Sequence, residues 1–118
     1  MFKRCTTCRH PWRSREGFLS DPAIVLIGYQ VSFQELTAGL FLFVHNAPDC
    51  LTTIAMPTGI FTDLYVGEVF ATRLTGTAQC PGRCLHKSDL EACGNKCECA
   101  YVREIIQIIR RWPKREAA

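Results

Sequence analysis

The sequence predicts an α+β fold: a small antiparallel sheet, a cysteine-rich segment and a long C-terminal amphipathic helix. Three observations predict it. Apolar residues alternate with polar ones over residues 25–33, and apolar runs follow at 40–44 and 51–56, the pattern of paired strands. Over residues 101–112 the period becomes that of a helix with one apolar face. Five of the eight cysteines fall within residues 80–99, where neither period holds. A chain of 118 residues is the size of one domain, and 47% hydrophobic with 21% charged residues excludes a disordered chain.

Taken in order, Cys5-Thr6-Thr7-Cys8 stands in an arm carrying Lys3, Arg4, Arg9, Arg13 and Arg15 and no acid. Ser14 to Leu19 predicts a short turn of helix that stops at Asp21-Pro22, since the residue before proline is pushed out of the α region. In the first strand Val25, Ile27, Tyr29, Val31 and Phe33 form the apolar face, with Gly28, Gln30, Ser32 and Gln34 between them. Thr37-Ala38-Gly39 closes it. Residues 40–44 are apolar on both faces and read as a central strand. Residues 51–56 read as its hairpin partner after the turn Asn46-Ala47-Pro48-Asp49, and Pro57-Thr58-Gly59 breaks that strand. Residues 60–74 fit helix or strand. Ser88-Asp89-Leu90-Glu91 and Asn95-Lys96-Cys97-Glu98 have the spacing of capping boxes, the first opening a one-turn helix and the second the C-terminal helix. That helix puts Tyr101, Val102, Ile105, Ile106, Ile108, Ile109 and Trp112 on one face, puts Arg103, Glu104, Gln107, Arg110 and Arg111 on the other, and ends at Pro113. We expect a single domain over 1–118, comprising a basic Cys-x2-Cys arm (1–15), a β-rich core (23–74), a cysteine-rich loop (76–99) and the helix (96–112).

The net charge of +3 conceals an uneven distribution: +5 over residues 1–15, −6 over 16–72 and +4 over 73–118. Basic ends flank an acidic middle and are expected to lie against it, so nucleic-acid binding is not the expected role. The longest apolar runs, five residues each, are far below the ~20 that span a bilayer, and no membrane association is expected. Met1-Phe2-Lys3-Arg4-Cys5 leads into Thr, Cys, Arg and His instead of an apolar stretch, so no secretory leader is expected and the expected location is the cytoplasm. Thiols stay reduced there, which directs eight cysteines toward metal ligation or thiol chemistry rather than disulfides.

Each of the three histidines accompanies cysteines: His10 after Cys8, His45 before Cys50, His86 after Cys84. A Cys-x2-Cys turn aims two sulfurs at one ion, and a closed tetrahedral zinc site needs two more ligands. His45 and Cys50, at the two ends of the predicted hairpin turn, are the candidates, with His10 as a substitute for His45. Cys5, Cys8, His45 and Cys50 together resemble a zinc ribbon at the four ligand positions. Two alternatives stand beside this: a redox dithiol at Cys5 and Cys8, and thiols with no common task.

The second group repeats a spacing, Cys80-x3-Cys84-x-His86 and Cys93-x3-Cys97-x-Cys99. Six ligands exceed what one tetrahedral ion takes. In a helix begun at Asn95, Cys97 and Cys99 point about 200° apart and cannot face one ion, and Cys99 lines up with Val102, Ile106 and Ile109 as the core candidate. His86 reads as a surface residue. Zinc at Cys80 and Cys84 with two of the later cysteines is the first expectation, and an iron–sulfur cluster, which accepts ligands from wider directions, is the alternative. Two metallated sites would bring the charge from +3 to about zero.

No Gly-rich phosphate loop, Gly-x-Ser-x-Gly elbow or His-Glu-x-x-His motif is present, so no catalytic residues are assigned and an enzyme is not the leading expectation. The sequence therefore predicts a small cytoplasmic metal-binding protein with mainly structural ions, serving as a protein-interaction or regulatory module. An iron–sulfur electron-transfer or redox-sensing protein is the alternative.

Overall fold

A computed structural model describes residues 1–32, 34–48, 50–67, 69, 88–92 and 100–115. Cys80, Cys84, His86, Cys93, Cys97 and Cys99, the Asn95 cap and most of the predicted 76–99 loop lie outside these residues. Among the described residues the architecture is α+β, with two antiparallel sheets and two α-helices. Strands β1 (Lys3–Arg4) and β2 (Pro11–Trp12) pair in a short hairpin. Helix α1 (Arg15–Ser20) follows, then the three-stranded sheet β3 (Ile24–Gln30), β4 (Leu40–His45) and β5 (Thr52–Pro57) in the order β3-β4-β5. Helix α2 spans Ala100–Arg110. No described helix is long and apolar enough to cross a membrane.

Several elements form as their residues dictate. Ser14 caps α1 by accepting from the Gly17 N–H at 3.0 Å, and the helix stops at Asp21, which is extended ahead of Pro22. Strand β4 is central, as its two apolar faces predict, and pairs with β5 in the register Val44↔Thr53 and His45↔Thr52. Pro57 ends β5, and tight 3-10 turns at Thr58–Ile60 and Thr62–Leu64 follow, so this part of the ambiguous stretch is neither long helix nor strand.

Within the arm the β1–β2 hairpin forms, for which the sequence carries no periodic signal. Three expectations are corrected. In β3 the inward residues are Ile24, Leu26 and Tyr29, while Val25 and Ile27 are over 40% exposed. The register steps from Leu26↔Phe43 to Gly28↔Leu42, so Ile27 is an extra residue, and such a bulge reverses the phase of the alternation. At residues 88–92 no helix forms; the Asp89 carboxylate accepts from the Glu91 N–H at 3.0 Å, closing a local turn instead. Finally, α2 ends at Arg110, with Trp112 held by a last-turn bond from its N–H to the Ile109 carbonyl at 3.2 Å, and Arg103 is on the buried side.

Helix α2 lays Val102, Ile105, Ile106 and Ile109 onto a core built from aromatic residues of β2, α1, β3 and β4 together with Phe61, and from Ile54 and Met56 of β5. Phe18 of α1 meets Phe43 of β4 edge-on at 5.0 Å between centroids and Trp12 of β2 at 5.1 Å, and Phe61 packs on Phe41 at 5.6 Å. The fully buried Arg103 guanidinium stands over the Tyr29 ring, 5.4 Å from its centroid, and donates to the Asp89 carbonyl. Its Nε and second terminal nitrogen have no hydrogen-bond partner among the described residues. A buried cation with unmet donors adds little net stability, so Arg103→Met, which keeps the stem, is expected to melt within a few degrees of the parent or above it. A loss of ten degrees or more in a thermal melt would contradict this.

The expectation that basic ends lie against the acidic middle holds in part. Arg15 pairs with Asp63 at 2.5 Å, and Arg115 approaches Asp21 at 3.6 Å. Lys114 donates to the carbonyls of Leu19 and Ile24 at 2.6 and 2.9 Å, tying the segment after α2 to the junction of α1 and β3.

Candidate metal centre

Two hairpin tips build the site. In the first, the Cys5 N–H donates to the His10 carbonyl and the Arg9 N–H to the Cys5 carbonyl, both at 2.9 Å, which folds Thr6, Thr7 and Cys8 into a tight turn. In the second, His45 is the last residue of β4 and Cys50 lies two residues before β5, its N–H donating to the Ala47 carbonyl at 3.1 Å. The residue after the last cysteine of each tip is left-handed, Arg9 with φ 64° and Leu51 with φ 53°. Neither is a glycine, so each turn holds its backbone at some conformational cost. Trp12 joins the two sheets: its ring lies 4.9 Å from that of His45 and packs on Phe18.

The ligand atoms of Cys5, Cys8, His45 and Cys50 all lie within 4.8 Å of one another, so the four form a group that could hold a metal ion. Cys5 Sγ is 3.5 Å from Cys50 Sγ, and Cys8 Sγ is 3.5 Å from His45 Nδ1. Around a tetrahedral zinc, with Zn–S about 2.3 Å and Zn–N about 2.0 Å, neighbouring ligand atoms stand roughly 3.5–3.8 Å apart. The three thiols are free, and the group is sheltered unevenly: Cys5 and His45 are buried, Cys50 is half-buried and Cys8 is exposed.

Local donors prepare two of the three sulfurs for a cation. Burial opposes the Cys5 thiolate, but the backbone N–H groups of Cys8 and Thr7 and contacts with the Cys50 and Cys8 side chains outweigh it, bringing its pKa from 9.0 to about 7. The Thr52 hydroxyl, 3.3 Å from Cys50 Sγ, lowers the Cys50 pKa. At Cys8 the His10 N–H acts downward, yet desolvation and the neighbouring Cys5 and Cys50 sulfurs together push the pKa up.

These shifts fix a sign. A thiol lowered from 9.0 to about 7 stabilises the metal-free fold fully above pH 9, and that contribution is lost as pH falls through about 7. Metal binding needs all three thiolates; near pH 7 Cys5 is about half ionised and the raised Cys8 is still protonated, so zinc binding should release more than one proton there and fewer near pH 9. Calorimetric titration in two buffers of different ionisation enthalpy measures this; release of one proton or none would contradict a three-thiolate site.

His10, the sequence's substitute ligand, stays outside the group, with Nε2 3.9 Å from the Asp21 carboxylate. The unforeseen residue is Asp21. Its nearly buried carboxylate accepts from Trp12 Nε1 at 2.9 Å and from the Ala23 N–H at 2.8 Å. Although burial raises its pKa, those two donors with Arg115 and His10 hold it below the usual carboxylate value. It thereby fixes the Trp12 ring against His45, a support outside the ligands themselves. Only the helix stop at Asp21-Pro22 hinted at it in the sequence.

Of the nine cysteine and histidine ligands proposed from the sequence, the four from the two hairpin tips come together. Cys80, Cys84, Cys93, Cys97 and Cys99 lie outside the described residues. No protein-family model, curated protein or solved structure matches this chain.

Proposed function

We propose that this chain is a small zinc protein in which Cys5, Cys8, His45 and Cys50 hold a structural ion. The observation that carries the reading is the meeting of four ligand atoms, drawn from two hairpin tips some forty residues apart, within 4.8 Å. Three sulfurs and one imidazole nitrogen are a donor set that suits structural zinc, and a closed four-ligand set leaves no position for substrate. The ion fastens the β1–β2 hairpin to the end of the larger sheet. The protein is then an interaction or regulatory module of a thiol-reducing compartment such as the cytoplasm, with its surface rather than its metal presented to a protein partner. A second zinc ion on four of Cys80, Cys84, Cys93, Cys97 and Cys99 completes the proposal.

Five cysteines within residues 80–99 favour one further reading, an iron–sulfur cluster at that group in an electron-transfer or redox-sensing protein. Anaerobic purification followed by metal and sulfide analysis and an absorption spectrum tests both. A colourless chain with two zinc ions supports the proposal, and one zinc ion removes the second site. Iron, sulfide and broad visible absorption transfer the C-terminal group to the cluster reading. A chain without stoichiometric metal refutes the whole.

A further inference from the structure

The three sulfurs of the candidate centre have different surroundings. Cys5 Sγ stands 3.5 Å from Cys50 Sγ, whereas Cys8 Sγ stands against His45 Nδ1 at 3.5 Å. Cys5 is fully buried, Cys50 is half-buried beside the exposed Leu51, and Cys8 is exposed. Cys5 belongs to the tip of the β1–β2 hairpin and Cys50 to the tip between β4 and β5. The Cys5–Cys50 contact therefore joins the same two tips that an ion at the centre would join.

A disulfide needs its sulfurs about 2.0 Å apart, so this pair has to close by about 1.5 Å, the scale of a side-chain rotation and not of refolding. Two sulfurs on a tetrahedral zinc stay about 3.8 Å apart, so a bound ion holds the pair open. Cys5 and Cys50 are 45 positions apart in the chain, and only the fold brings them together. A bond between them closes a long loop and so constrains the unfolded chain strongly. Cys5 and Cys8, by contrast, share one turn, and a bond between them would leave the two tips untied.

We propose that Cys5 and Cys50 form a reversible disulfide switch driven by a hydroperoxide: their bond expels the zinc ion yet keeps the β1–β2 hairpin fastened to the larger sheet. The switch rests on the structural zinc ion proposed above. The Cys50 thiolate, the accessible member of the pair, attacks one peroxide oxygen; the O–O bond breaks, hydroxide leaves and Cys50 becomes a sulfenic acid. The Cys5 thiolate then attacks that sulfur, the S–S bond forms and a second hydroxide leaves. Two thiolates have together lost two electrons, and the peroxide that gained them ends as two hydroxides, which take up protons to give water. Oxidation that begins at the exposed Cys8 converges on the same product. The Cys50 thiolate attacks Cys5 Sγ of a Cys5–Cys8 bond, and Cys8 leaves as a thiolate. The ion keeps Cys8 and His45, two of the four ligands that a closed zinc site needs, and dissociates. A dithiol reductant reverses the bond by two exchange steps, and the centre reloads.

The test treats the zinc-loaded full chain with hydrogen peroxide and reads released zinc, cross-linked peptides and melting temperature. The zinc held at the tips is the difference in metal content between the parent and Cys50→Ser before oxidation, and the parent should release that extra ion. Trypsin should then give fragment 5–9 joined to fragment 16–73 by a bond that dithiothreitol breaks. Cys8→Ser, in which Cys5 is the one thiol of fragment 5–9, should keep this cross-link, and Cys50→Ser should lose it. Oxidised, metal-free parent should melt about 10 °C above Cys50→Ser treated in the same way, because the disulfide replaces the ion as the fastening. A chain with no zinc at the tips before oxidation fails the structural-zinc reading itself. A zinc-loaded chain overturns the switch alone if peroxide releases no ion from the tips, leaves Cys5–Cys8 as the final bond, or joins Cys50 to a cysteine of the C-terminal group. Loss of the cross-link in Cys8→Ser also overturns it.

Discussion

Replacing Cys5 by serine is expected to abolish stable zinc binding at the two hairpin tips and to release the β1–β2 hairpin from the larger sheet. Structural zinc sites in small peptides have apparent binding energies of about 10–16 kcal/mol, so one lost ligand of four removes on the order of 3–4 kcal/mol, a several-hundredfold weakening. Without the ion the hairpin keeps the packing of Phe2 and Trp12 on Phe18 and the Trp12–Asp21 hydrogen bond, but two paired residues per strand are marginal alone. Chelation of the parent protein should therefore lower the melting temperature by about 10–20 °C. Cys8→Ser should lose metal similarly, because both sulfurs are ligands. Without metal the two differ: Cys8 is exposed, whereas Cys5 is fully buried beside the core, so metal-free Cys5→Ser should melt below metal-free Cys8→Ser. Trp12 reports the loss, its ring being buried 4.9 Å from His45, and a Trp112→Phe background isolates its emission. Unchanged zinc stoichiometry in Cys5→Ser after dialysis against chelator would eliminate this site.

The ligands at this site were legible because two local signals converge. Cys5-x2-Cys8 needs one turn, and the turn between two strongly apolar strands places His45 and Cys50 near each other whatever the rest of the chain does. The sequence already prefers His45 to His10, and the structure supplies the reason: His10 follows the same knuckle, but the hairpin pairing directs it to Asp21. Other elements with strong local signals were equally legible, such as the central β4 and the stop of α1 at Asp21-Pro22. What escaped depends on effects that periodicity does not carry. Strands of two residues have no measurable period, hence the missed β1–β2 hairpin. A single bulged residue at Ile27 reverses the alternation, so Val25 and Ile27 were assigned inward and stand outward. Arg103 follows Val102 on the edge of the apolar face, where its stem packs inside and its head finds the Tyr29 ring and a carbonyl instead of water. Asp89 closes a turn on Glu91 at a spacing that equally suits a helix cap, because short polar side chains compete for the same backbone groups.

The core prediction with the largest effect concerns Phe43. Truncating this fully buried ring to alanine should cost about 3–5 kcal/mol, a large fraction of the ~5–15 kcal/mol typical of a domain. The ring sits in the central strand and meets Phe18 at 5.0 Å and Phe61 at 6.0 Å, so the cavity would open where α1, β4 and the turns after β5 converge. The neighbouring backbone is held in the β3-β4-β5 ladder and cannot collapse into the space, which places the cost toward the upper end of that range. Phe43→Leu retains most of the volume and should lose about 1–2 kcal/mol. The effect should also reach the metal group: Phe18 supports Trp12, Trp12 lies against His45, and His45 is two residues beyond Phe43 on the same buried face of β4. Zinc should consequently raise the melting temperature of Phe43→Ala, because a ligand that binds only the folded form stabilises it by mass action, but affinity should fall below that of the parent as the ring stack loosens. Urea denaturation with and without zinc measures both quantities. A Phe43→Ala chain with parental stability would show that this ring is not the keystone of the core, and a destabilised chain with parental zinc affinity would show that the Phe18–Trp12 stack does not position His45.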